Sequence, residues 1–141
     1  MAKILCAWYQ VNNSERDPEK DDLNLSVNGV LQLTEAEVRR LAAEASGLLP
    51  VNATVMDDDS IFDDTVFTNQ FPFMLGVHNT DPTSFTFPVI VPHKPLTDTE
   101  PSWENFAEVY CKVIAQHKVG NQVIFAARKD TEKQDIRIRK Q

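Results

Sequence analysis

The stretch SWENFAEVYCKVIAQ, residues 102–116, sets the fold expected of this chain. Trp103, Phe106, Val109, Tyr110, Val113 and Ile114 recur at helical spacing, and Ser102 is placed to cap the first turn. The spacing predicts an amphipathic helix with one apolar face. Gly120 follows as a stop, and then comes the uncharged run 123–127, which reads as a buried strand.

Working outward from this segment, the pattern alternates between strand and helix. Residues 4–9 form a second short apolar run without charge, again of buried-strand type. Residues 12–22 are polar, carry Pro18 and read as a loop. Residues 34–46 form the clearest helix. Thr34 and Glu37 have capping-box spacing, Val38, Leu41, Ala42 and Ala45 follow at helical intervals, and Gly47 ends the run. Residues 23–33 support two readings, a hairpin turning at Asn28-Gly29 or a helix capped by Ser26. A further core strand is expected over 51–56. Phe62, Val66, Phe67 and Phe71 suggest the apolar side of a short helix. Pro72, Pro82, Pro88, Pro92, Pro95 and Pro101 preclude a long helix between them, with 87–91 left as an edge or connecting strand. Ile136 and Ile138 alternate with Arg137 and Arg139 in a charged tail, as in an edge strand. The order strand, helix, strand, helix, strand predicts a three-layer α/β domain, 1–141, with a mainly parallel central sheet and helices on both faces. The runs 4–7 and 123–127 would be its central neighbours.

The chain has 141 residues and a formal net charge of −7. That balance disfavours a nucleic-acid binder, which needs a basic face, and suits solubility or a basic partner protein. No run of apolar residues is long enough to span a membrane. The apolar start, residues 1–7, has no basic region or cleavage site and reads as a strand, not a signal. A cytoplasmic location is therefore expected, and the glycosylation triplets at Asn12, Asn24 and Asn52 are read as chance. Cys6 and Cys111 sit among apolar residues and read as reduced core thiols.

Few motifs carry chemistry. There is no phosphate-cradling glycine loop, no zinc spacing and no nucleophile elbow. His78, His93 and His117 are scattered and read as surface or loop residues. The acidic run Asp57, Asp58, Asp59, Asp63 and Asp64 has oxygen ligands for a hard cation, but lacks the glycine and closing glutamate of an EF-hand. A solvated acidic turn is the preferred reading, with no metal and no cofactor. Arg128 and Lys129, directly after a strand, are placed to hold an anion or simply to reach water.

Taken in order, these landmarks resemble the histidine phosphatase superfamily, which includes the phosphoglycerate mutases. That family opens with a strand ending in Arg-His-Gly. Here Lys3-Ile4-Leu5-Cys6-Ala7 is followed by Trp8-Tyr9-Gln10. Its next helix opens Leu-Ser/Thr-x-x-Gly-x-x-Gln, matched by Leu25-Ser26-Val27-Asn28-Gly29-Val30-Leu31-Gln32. Near its end, Glu-Ser-x-x-x-Phe-x-x-Arg-Val has a counterpart in the segment from Glu100 to Val109, followed by Gly120 and the apolar run 123–127. The resemblance implies a relative that has lost its active site. Tyr9 stands where the family has its nucleophilic histidine, Trp8 replaces the arginine and Gln10 the glycine. A second arginine would fall at Ile61 or Phe62, and the second histidine at Arg128. Phosphoryl transfer by that route needs an imidazole and several cations, so no histidine phosphatase activity is expected.

The resulting expectation is a non-catalytic domain that binds a protein partner or small ligand. Trp8, Tyr9, Gln10, Arg128 and Lys129 would line the pocket at the carboxyl ends of the strands. Two alternatives are an acidic inhibitor or immunity-type protein, and an enzyme of unrelated chemistry using the same pocket.

Overall fold

The computed structural model describes residues 1–58 and 63–140. In chain order the elements are β1 (Lys3–Val11), β2 (Leu23–Gln32), α1 (Glu35–Ala45), β3 (Leu48–Asp58), β4 (Asp63–Thr68), β5 (Phe73–Gly76), β6 (Thr83–Val91), α2 (His93–Asp98), β7 (Phe106–Val119), β8 (Gln122–Asp130) and β9 (Gln134–Arg137). One sheet has the order β1-β2-β6 and the other β4-β3-β7-β8. β5 pairs with β3 beyond β4, and β9 pairs with β7 beyond β8. All these pairings are antiparallel.

This overturns the expected three-layer α/β fold with a mainly parallel sheet. It also conflicts with the phosphoglycerate mutase-like architecture that the resemblance implied. The runs 4–7 and 123–127 are strands, but they lie in different sheets: β1 pairs with β2, and β8 with β7. Lack of charge in each run has a simpler cause than burial on both faces. β1 places small or neutral residues on its outer side, and β8 is a largely exposed flanking strand.

The segment 106–119 is a 14-residue strand, not a helix. Ala107, Val109, Cys111, Val113 and Ala115 are buried, and they alternate with residues of the opposite face. Val109 and Val113 belong to both the helical and the alternating pattern. The residues that seemed to complete a helical stripe are in solvent instead: Trp103 is 74% exposed and Phe106 45%. β-Branched and aromatic residues through the segment favour a pleated surface. The supposed short helix around Val66 and Phe67 is strand β4; Phe62, its first residue, lies outside the described residues, as do Asp59 and Ile61.

β2 settles the ambiguous segment as neither hairpin nor helix. It runs straight through Asn28-Gly29 and pairs on both sides. Gly29 is needed for packing: a Cβ there would lie 2.3 Å from Cζ of Phe85. The glycine lets that ring lie flat on the strand, where Phe85 stacks with Phe87 at 6.1 Å.

The core lies between the two sheets. Leu25, Val27 and Leu31 of β2, with Phe87, Val89 and Val91 of β6, meet Val51, Ala53 and Val55 of β3 and the inner row of β7. α1 forms as expected. Thr34 accepts from the Glu37 amide at 3.3 Å, the Glu37 carboxylate accepts from the Thr34 amide at 2.9 Å, and Leu41 is fully buried. α2 buries Leu96. Its connection to β7 is held by the Arg139 guanidinium, which donates to the carbonyls of Thr97, Glu100, Pro101 and Glu104 at 2.6–3.1 Å. Only the Thr97 carbonyl belongs to α2; the other three lie in the connection, so one side chain pins that loop, while the Thr99 hydroxyl donates to the Leu96 carbonyl at the helix end.

Candidate functional site: the outer face of the three-stranded sheet

A bulge in β1 shifts the register between Ile4 and Cys6. Ile4 points inward before it; after it Tyr9 is buried, while Cys6, Trp8 and Gln10 are exposed. The extra residue, Leu5, is what turns Trp8 outward. Trp8 stands opposite Asn28, which stands opposite Thr86. Cys6, Val30 and Ser84 form the row on one side of it. Gln10, Ser26 and Pro88 form the row on the other, and Asn24 and Ile90 lie beyond.

None of these positions carries a charge, in a chain where charged residues make up 25%. The polar groups are tied together. The Thr86 hydroxyl donates to Oδ1 of Asn28 at 2.8 Å, Nδ2 of Asn28 donates to the Ser26 carbonyl at 3.2 Å, and Nδ2 of Asn12 donates to Oγ of Ser26 at 2.8 Å. Asn28 is consequently 7% exposed at the centre of the face, whereas Trp8 is 45% and Ile90 56% exposed. The surface is a fixed, neutral platform with apolar side chains standing on it.

The residues expected to form a pocket do not converge. Trp8 and Gln10 lie on this platform. Tyr9 points into the core, where its hydroxyl donates to the Val109 carbonyl at 2.6 Å. Burial raises the Tyr9 pKa well above the ordinary phenol value, with the neighbouring Cys111 adding to the rise. Arg128 stands opposite Ile114 on the outer face of the other sheet, and Lys129 opposite Val113. Trp8 and Tyr9 share a cleft of about 490 Å³ with Glu132, Lys133 and Gln134, not with Arg128. Nε2 of Gln134 crosses that seam to the Tyr9 carbonyl at 3.1 Å.

Other side chains able to do chemistry have structural partners. Cys111 is buried, and burial pushes its thiol up to about 12, which removes it as a nucleophile at neutral pH. Cys6 departs from its expected place in the core and is exposed; both thiols are free. His117 is buried, contrary to its reading as a surface residue, with Nε2 2.8 Å from Oε1 of Glu44 and its ring against Phe125. That carboxylate is also held by Arg40, which lowers its pKa more than His117 does. His93 sits 3.9 Å from Asp22 at the start of α2, and the His78 ring covers Gly47. A groove of about 320 Å³ at the β1–β2 loop contains Arg16, Leu23, Phe106 and Arg137, but Arg137 already stacks on Phe106, 4.5 Å from the ring centroid. Among the described residues no group of three or more His, Cys, Asp or Glu is arranged to hold a metal, and no helix is long and apolar enough to cross a membrane.

Sequence reasoning found Trp8 and Gln10 but missed Ser26, Asn28, Val30, Thr86 and Ile90. The signal was present in the strict alternation of Leu23, Leu25, Val27, Gly29 and Leu31 with uncharged residues. A hairpin or helix reading of that segment hides it.

No family model matches the chain, and no curated protein matches it. Among solved structures it is similar to a protein assigned as a β-galactosidase from Bacteroides fragilis, at 14% identity and a TM-score of 0.40. The match covers 93% of this chain and 17% of that one.

Proposed function

We propose that this is a non-catalytic, cytoplasmic binding domain whose protein partner docks on the outer face of β1, β2 and β6. One observation carries the reading: a three-stranded face with exposed Trp8, Pro88 and Ile90 whose one charge, Lys3 opposite Gln32, lies at its end, in a chain where a quarter of the residues are charged. Protein interfaces are distinguished by loss of charge at their centre and by aromatic anchors, more than by bulk hydrophobicity. The internal hydrogen bonds of Asn28, Thr86 and Ser26 add rigidity, so little ordering entropy is lost on docking. An exposed free thiol at Cys6 suits a reducing compartment.

The test is a comparative capture experiment with the wild-type chain, Trp8→Lys and Lys112→Gln. Trp8→Lys puts a charge on the platform without entering the core, and Lys112 lies on the opposite outer face. A specific partner should be retained by wild type and Lys112→Gln and lost with Trp8→Lys. Equal recovery by all three would show that the face is not the binding surface.

A further inference from the structure

Two pairs of carboxylates face one another across β3 and β4. Asp58 stands opposite Asp63, and Asp57 opposite Asp64. Like charges directly opposed in an antiparallel ladder destabilise it, because their Cβ atoms are about 5 Å apart. The outer pair is compensated within the protein. Asp58 forms an ion pair with Lys133, and Asp63 accepts from the Tyr110 hydroxyl.

The inner pair is not. Asp57 also stands opposite Val109, a core residue, so its side chain lies on the inward face. It is fully buried, at 0% exposure, and among the described residues neither carboxylate oxygen has a hydrogen-bond partner. Its neighbour Asp64 is half-buried. A desolvated carboxylate facing a second carboxylate, with no donor among the described residues, is opposed by both desolvation and repulsion. The preferred sequence reading, a solvated acidic turn, does not account for a buried Asp57.

We propose that Asp57 and Asp64 bind a hard divalent cation between β3 and β4. The cation does for the inner pair what Lys133 does for the outer one. Carboxylate oxygens select hard ions, and no thiol or imidazole joins the pair to favour a softer metal. Two carboxylates without a third acidic or histidine ligand among the described residues leave the remaining positions to water, hydroxyl or backbone oxygens. That pattern is typical of Mg²⁺, which is commonly held by one or two carboxylates and keeps part of its water shell.

The experiment is calorimetric titration of the full chain with MgCl2, MnCl2 and CaCl2 in metal-free buffer, with thermal midpoints recorded alongside. Saturable binding of at least one ion is expected, with a raised midpoint because the ion binds only the folded state. Asp57→Asn keeps the shape and removes the charge, and should weaken binding about tenfold or more, the scale on which metal affinities respond to altered coordination. Asp64→Asn should do the same, which keeps the test decisive if one variant folds poorly. Glu132→Gln, an exposed acid outside the pair, should bind as wild type does. Absence of saturable binding for all three ions would overturn the proposal. So would binding that survives unchanged in Asp57→Asn and Asp64→Asn. Stabilisation by acid in metal-free buffer, without metal binding, would assign the pair to a shared proton and overturn it as well.

Discussion

The two outer faces of this sandwich are built the same way and finished with opposite chemistry. On the six-stranded sheet, Lys112 stands between Thr54 and Asp130, Ile114 between Asn52 and Arg128, and Glu108 opposite Asp135. Charges are interspersed there, as on an ordinary solvated surface. On the three-stranded sheet the corresponding rows hold Trp8, Asn28 and Thr86, or Cys6, Val30 and Ser84. Both sheets send alternate residues into the same core, so the core does not require this difference. A nearly uncharged outer face with exposed Trp8 and Ile90 is also an aggregation liability unless something covers it. The contrast fits the proposed reading, in which one face meets water and the other a protein partner.

The sharpest way to break this comparison is to put a charge at the centre of the neutral face. In Asn28→Asp, the donor to the Ser26 carbonyl is lost and a carboxylate is held at a nearly buried site. Urea denaturation should show a loss of about 2–3 kcal/mol, the scale for a buried polar group left without its partner. Lys112→Gln on the other face should stay within about 0.5 kcal/mol of wild type. Equal costs at both positions would make the contrast superficial.

Next in size is Gly29→Ala. The added methyl would meet the Phe85 ring, so overpacking should cost about 1–3 kcal/mol in the same assay. An unchanged midpoint would mean the ring moves aside and the platform is softer than described. Smaller still is Tyr110→Phe on the charged face. Tyr110 is buried and donates to Asp63, and its pKa is raised by burial first and by that carboxylate second. Losing the hydroxyl should cost about 1 kcal/mol, and no change would show that water replaces the bond fully.

The smallest effect is the pH dependence of the Asp58–Lys133 pair. Hydrogen bonding to Lys133 is the largest cause that lowers the Asp58 pKa below its ordinary value of 3.8. A depressed carboxylate pKa stabilises the fold above the unfolded value, and that contribution disappears as pH falls through the folded value. Lys133→Met should therefore lower stability slightly at neutral pH, and the difference from wild type should vanish as pH falls below the folded Asp58 value. A loss of the same size at neutral pH and below the folded Asp58 value would contradict the assignment.

Local features were legible in the sequence wherever a short-range signal decides them. The Thr34–Glu37 capping box forms as its spacing implied, because both bonds lie within one turn. The runs 4–9, 51–56, 87–91 and 123–127 are strands. Of the expected site, Trp8 and Gln10 share the candidate face, while Tyr9 and Arg128 are separated from it by the core and by the second sheet.

Tertiary structure alone decided direction and partnership. An uncharged run can sit in a parallel or an antiparallel sheet, and its own residues do not say which. The segment from Phe106 to Val119 satisfies helical and alternating periods together, since Val109 and Val113 fit both. Ala107, Cys111 and Ala115 resolve it only once β3 and β8 lie on either side, where small side chains fill the inner row. Likewise nothing local marks Asn28-Gly29 as a strand centre, because the ring that requires the glycine belongs to Phe85, far along the chain. Strand pairing is non-local, so the free energy that selects it appears only when distant segments meet.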